Sequence, residues 1–182
     1  MPSSGRTHRP AVGAGHGRGP GVHRVADREG SSPHLSYDPA ADAAARYPDW
    51  VICSVDLGGV IPEVLSRSRR VILLERDHPP AQRRSSLAHA LAHLDLGHAE
   101  TPSGWFEQRE EVEAEDLAAR RLIPLPALAR ALAWSREPDE VARELGVDDA
   151  MLTLRQSRMA TDERRRLRRM LARSDRATWV NR

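Results

Sequence analysis

Beyond residue 36 the chain alternates between short runs of apolar residues and breaks rich in Gly, Pro and charge. "DPAADAAARY" has the look of a short helix that ends before Pro48. "WVICSVDL" and "RRVILLER" are rich in Val, Ile and Leu and predict strands over 51–57 and 70–75, separated by the turn-forming Gly58-Gly59. After Pro79-Pro80 the apolar spacing turns helical, and a helix is expected over 83–96, stopped at Gly97. Further helices are expected over 106–123, closed by Pro124, and over 126–135. "EPDEVARELGVDDAMLTLRQSRM" then reads as helix, Gly-centred turn, helix, with a basic helix and frayed end behind it.

Residues 1–35 lack this patterning. They are mostly Gly, Pro, Ser, Arg and His, with too little apolar surface to offset the entropy of ordering, and are expected to be a disordered tail. His8, His16, His23 and His34 are scattered through it and read as solvated residues. Three segments follow: the tail, 1–35; a compact domain, 36–135; and a helical C-terminal segment, 136–182. The expected fold class is α+β, a small sheet packed with a helical core plus a helical tail.

Composition narrows the picture modestly. Aromatic residues make up 4% of the chain, so the core must be built from Leu, Ala, Val and Ile, which suits small helices better than a sandwich. All 28 basic residues other than His are Arg, an imbalance that goes with the high Ala, Gly and Pro content and is not by itself a functional signal. A formal charge of +2 does not argue for nucleic acid. The single cysteine, Cys53, allows no internal disulfide and fits a reducing compartment. No apolar run has the length of a membrane span and no secretory signal is evident, so a cytoplasmic location without membrane attachment is expected.

The candidate chemistry lies in "SSLAHALAHLDLGHAE". His89 and His93 stand one helical turn apart and share a face, so two imidazoles can aim at one point. Two buried, hydrogen-bonded histidines would give the same pattern. A metal such as zinc needs a third protein ligand. His98 does not match the spacing of the metzincin third histidine. The next helix offers Glu107, Glu110, Glu111, Glu113, Glu115 and Asp116. Glu111, Ala114, Glu115 and Ala118 fall on one face, and the small alanines would allow close approach to the histidine helix. Glu111 is then the candidate third ligand and Glu115 the candidate acceptor for a ligand histidine's second nitrogen. A solvated acidic face near a helix start is the plainer alternative.

With both motifs in view, "RSSLAHALAHLDLGH" from Arg84 and "EVEAEDLAARRLIP" from Glu111, the chain resembles the ImmA/IrrE-type zinc metallopeptidases over residues 70 to about 132. The resemblance implies a zinc cofactor held by His89, His93 and Glu111, with Glu115 where the family has Asp or Asn. It implies endopeptidase activity towards helix-turn-helix repressors of stress or mobile-element genes. It also marks a departure. Ala90 occupies the place of the general base that takes a proton from the attacking water and passes it to the leaving amine. A methyl group relays no proton, so zinc binding with lost or very weak proteolysis is expected. Neither Asp95 nor Glu100 is placed by spacing to substitute. A natural pseudoenzyme and a deliberate Glu-to-Ala replacement fit equally well.

The C-terminal pair, with apolar Val141, Leu145, Val147, Leu152 and Leu154, resembles a helix-turn-helix. Arg155, Arg158 and the "RRRLRR" run at 164–169 are then candidate phosphate contacts, and a DNA-binding regulator with a protease-like scaffold is the alternative function. Asp148 and Asp149 suit a recognition helix poorly, which favours a helical hairpin packed on the domain, or a docking element for a protein partner.

Overall fold

The computed structural model describes residues 23–24, 37–98 and 104–180. In chain order the elements are β1 (His23–Arg24), α1 (Pro39–Arg46), β2 (Val51–Val55), β3 (Glu63–Ser66), β4 (Val71–Glu75), α2 (Pro80–Leu96), α3 (Gly104–Leu122), α4 (Leu125–Trp134), α5 (Pro138–Leu145), α6 (Asp149–Ser157) and α7 (Thr161–Val180). The fold is α+β, a small sheet beside a larger helical body.

The sheet has the order β1-β2-β4-β3. β2 and β4, the two strands legible in the sequence, pair in parallel, with Val51 opposite Val71 and Val55 opposite Glu75. Parallel neighbours cannot be joined by a tight turn. The intervening chain therefore crosses to the far side of β4 and forms β3, antiparallel to it, with Glu63 opposite Leu74. The sequence reading placed only a turn in this interval and missed the strand, whose four residues, "EVLS", are half polar. Most of the expected tail lies outside the described residues; the exception is His23–Arg24, which pairs antiparallel with β2.

Glu75 fixes the path between β2 and β3. It is fully buried at the end of β4 and accepts the backbone N–H groups of Leu57 and Gly59 at 2.8 Å and of Asp77 at 3.0 Å. Those donors, led by Asp77 and Gly59, hold its carboxyl at about 2 against the opposing effect of burial. The turn they clamp has Gly58 at φ +85° and Gly59 at φ +73°, a left-handed path that favours residues without Cβ.

α2 begins with Pro80 in its first turn, where a missing N–H costs nothing, three residues earlier than its apolar spacing suggested. It is buried on two faces. Leu87, Ala90, Leu91 and Leu94 pack on Ile72 and Leu74 of the sheet and on Ala43 of α1. Ala88 and Ala92 pack in the second core with Ala114 and Ala118 of α3. The alanines in both helices permit the close approach anticipated from the sequence. That second core runs on through Leu122, Ile123 and Leu128 to Val141, Leu145, Val147, Met151 and Leu152. A boundary at 135/136 would cut through it, because α5 and α6 are built into the same core as α2 and α3.

Candidate metal centre

The third face of α2 carries His89 and His93, and it borders a cleft of about 830 Å³. β3 forms one wall with Glu63 and Leu65, α3 another with Glu110, Glu111 and Glu115, and the start of α6 a third with Asp148 and Met151. Side chains alternate along a strand, so Glu63 and Leu65 face the cleft while Val64 between them is exposed.

His89, His93 and Glu111 meet at one point. The two Nε2 atoms lie 3.2 Å apart. Glu111 sets one carboxylate oxygen 3.4 Å from His89 Nε2 and the other 3.2 Å from His93 Nε2. Zinc bonds of roughly 2.0–2.1 Å at tetrahedral angles separate neighbouring donors by about 3.3–3.4 Å. Both the spacing and the donor set, two imidazoles and a carboxylate, therefore fit a divalent metal of the zinc type. The two ligand histidines are mostly buried, whereas Glu111 is 48% exposed, leaving the site open on the α3 side.

The surroundings separate the two imidazoles. Burial disfavours charge on both. At His93 it acts with the neighbouring His89, His98 and Arg67 to lower the pKa to about 4. At His89 burial is outweighed by the hydrogen bond to Glu63 and by the carboxylates of Glu63, Glu111 and Glu115, and the pKa is raised.

The second nitrogens are also occupied. His89 Nδ1 lies 2.6 Å from Glu63 Oε1. His93 Nδ1 lies 3.0 Å from His98 Nδ1. Gly97 ends α2 in a left-handed conformation, φ +71°, and the backbone N–H of His98 returns to the carbonyl of His93. This cap folds the His98 ring back onto His93, their centroids 5.1 Å apart. Arg67 donates to the same His93 carbonyl.

Glu115 corrects one expectation. It lines the cleft, but its carboxylate pairs with Arg158, the residue that caps the C-terminal end of α6, and the acceptor at His89 Nδ1 is Glu63. Sequence spacing could not supply Glu63, which arrives from a strand 26 residues upstream. Its one visible signal was an acidic residue in an otherwise apolar "IPEVL" stretch.

Ala90 is 1% exposed and its methyl closes the cleft wall between the histidines and the sheet. Asp95 does not reach the cleft. It faces the opposite way and is held by Arg46, Tyr47 and Arg121. Glu100 lies outside the described residues. Two of the arginines considered as phosphate contacts, Arg155 and Arg158, have partners within the fold. Arg155, 2% exposed, donates to the Ile123 carbonyl and pairs with Glu163 at 2.7 Å. Arg158 donates to the Val112 carbonyl as well as to Glu115.

A histidine pair on a helix beneath a small sheet, completed by a glutamate from the next helix, defines a zincin-like, metallopeptidase-type site. The family model of the IrrE N-terminal-like domain, peptidase family M78, matches residues 51–157, more than half of the chain, and the chain belongs to that family. The match runs from β2 to the end of α6, so it takes in the helical pair as well as the metal centre. No curated protein matches the sequence. No helix among the described residues is long and apolar enough to cross a membrane.

Proposed function

We propose that this protein is a zinc-binding, proteolytically silenced member of the IrrE-like peptidases that regulates transcription by holding a helix-turn-helix repressor rather than cutting it. The observation that carries the reading is the combination of an intact donor triangle, His89, His93 and Glu111, with a methyl group at position 90. His89, His93 and Glu111 would hold zinc, which when bound supplies Lewis acidity at the open side of the cleft. Glu63 and His98 orient the two histidines. The cleft between β3, α3 and α6 offers room for a peptide segment. Ala90 takes the glutamate's place and Asp95 is turned away, so neither moves a proton at the scissile bond.

The test is to express the full chain with a candidate helix-turn-helix repressor from the same genome. Zinc-dependent complex formation without cleavage is the expected result. Zinc-dependent cleavage by the unmodified chain would reject the silencing, and absence of zinc binding would reject the site.

A DNA-binding role is the second reading, favoured by α7, whose Arg165, Arg166, Arg169 and Arg173 are exposed. A salt-dependent gel shift of the full chain decides it; loss of the shift on replacing those four arginines supports it.

A further inference from the structure

We infer that Gln82 and Ser86 of α2, with Asp148 and Met151 at the start of α6, form a subsite beside the metal centre that takes one lysine or arginine side chain of a bound polypeptide. This rests on the reading of the cleft as a peptide-holding site and names the residue it selects. No metal ligand belongs to the subsite.

Gln82, Ser86, His89 and His93 follow one another at helical spacing, so they share one face of α2, and all four border the cleft. The histidines have partners; the two residues before them do not. Ser86 is 5% exposed, and its hydroxyl has no hydrogen-bond partner among the described residues. Its neighbour Ser85, by contrast, donates to the Ala81 carbonyl at 3.1 Å. The amide of half-buried Gln82 is also without a partner among the described residues. A buried hydroxyl left unmatched is costly unless something in the cleft completes it.

Arg84 sets the start of α6 beside this face. Its guanidinium donates to the carbonyls of Leu145 at 3.2 Å and Gly146 at 2.7 Å, the residues that end α5 and turn the chain towards α6. Asp148 follows and caps α6 with one oxygen, which accepts the Met151 N–H at 2.8 Å. Its second oxygen has no hydrogen bond or ion pair among the described residues. Met151, 8% exposed, and half-buried Leu154 lie about a helical turn apart and add an apolar floor. An apolar floor beside a carboxylate and two uncharged acceptors suits a side chain with a hydrocarbon stem and a cationic end. Ammonium and guanidinium groups only donate, and a hydroxyl, an amide oxygen and a carboxylate can all accept from them. A glutamate would meet the Asp148 carboxylate as a like charge, and a leucine would leave all three acceptors unmatched.

The experiment uses the full chain, labelled with nitrogen-15, without metal and with zinc. The probes are short peptides capped at both ends, alanine throughout except for a central arginine, lysine, leucine or glutamate. Binding is read from the Gln82 side-chain amide signals and the backbone signals of Asp148 and Met151. The arginine and lysine peptides are expected to move both sets, with affinity roughly tenfold above the leucine peptide, and the glutamate peptide to move neither. Asp148→Asn keeps the helix cap, because asparagine caps as well as aspartate, and should bring the two cationic peptides down to the leucine level. Ser86→Ala should weaken the cationic peptides less than Asp148→Asn does. Equal binding of all four peptides, or no binding of the cationic pair, overturns the inference in wild type, whether or not the variants fold. So does a cationic preference that survives Asp148→Asn, or one lost only in Glu110→Gln, since Glu110 also borders the cleft without an ion pair among the described residues. If the chain takes up no zinc, the zinc reading falls, while the peptide ranking in metal-free protein still decides this one.

Discussion

The Nε2 atoms of His89 and His93 face each other at 3.2 Å, with Glu111 closing the triangle on both. Three donor atoms converge at the spacing that a tetrahedral cation would bridge. The full chain is therefore expected to bind one zinc ion. His89→Ala or Glu111→Ala should abolish stoichiometric binding, measured by native mass spectrometry with metal analysis. A wild type that elutes metal-free after zinc incubation contradicts the site.

Ala90 borders both the apolar packing under the sheet and the cleft, so a longer side chain there has the cleft to extend into. Ala90→Glu introduces an acid–base group, and a gain of about 10²–10⁴-fold in zinc-dependent peptide cleavage is expected over wild type. The assay is repressor digestion followed by mass spectrometry of the fragments. An inert Ala90→Glu with a verified partner and bound zinc would contradict position 90 as the place of the missing base.

Zinc and protons compete for the ligand nitrogens, and the two histidines differ. His93, with its pKa lowered to about 4, is neutral throughout the range above that. His89 is raised above its ordinary value, so near neutral pH it must lose a proton before it can bind metal. Zinc affinity should therefore rise with pH through the near-neutral range and level off above the His89 pKa. Calorimetry in buffers of different ionisation enthalpy should show about one proton released per zinc. No net proton release below the plateau would contradict this.

Asp95 joins three helices: it accepts from Arg46 and Tyr47 on the α1 side and from Arg121 of α3. Burial opposes its ionisation, but those three donors prevail and lower its pKa to about 2. A depressed folded-state value means stabilisation that is complete above the unfolded carboxyl pKa and lost as pH falls through the folded one. Asp95→Asn should lower stability at pH 7 by roughly 1.5–3 kcal/mol. It should change little at pH 2, flattening the acid limb between about pH 4 and 2. Chemical denaturation at the two pH values measures both effects, and equal losses at both would show that charge is not the source.

Arg155 and Glu163 tie α6 to α7 in a place where the guanidinium is almost fully buried. Arg155→Ala leaves Glu163 and the Ile123 carbonyl without that partner, and a loss of roughly 3 kcal/mol is expected in urea denaturation. A phosphate-contacting arginine would instead leave stability within about 0.5 kcal/mol, as surface substitutions do.

Local pattern carried much of this molecule. The β-rich runs at 51–57 and 70–75, most of α2 and the glycine that closes it, and the helix–turn–helix spacing of α5 and α6 were all visible, because each is set by neighbours in the chain. So was the shared face of His89 and His93. Glu111, Ala114 and Ala118 were placed together by helical period and met α2 as expected. β3 escaped because four residues with two polar members give no clear alternation, and its polarity at Glu63 serves the site rather than the strand.

The sequence by itself determined the helices, two of the strands and the candidate donors His89, His93 and Glu111, since helical spacing and side-chain chemistry suffice for these, and the family resemblance implied the role of position 90. Only the tertiary structure decided which carboxylate serves which histidine. Glu115 lies one turn from Glu111 yet is taken by Arg158, while Glu63 reaches His89 across the edge of a sheet whose order local spacing does not encode. It likewise decided that Arg155 is buried and that both Arg155 and Arg158 are paired within the fold. Both outcomes depend on long-range packing, where burying a charge without a partner is costly and the nearest opposite charge in space, not in sequence, becomes that partner.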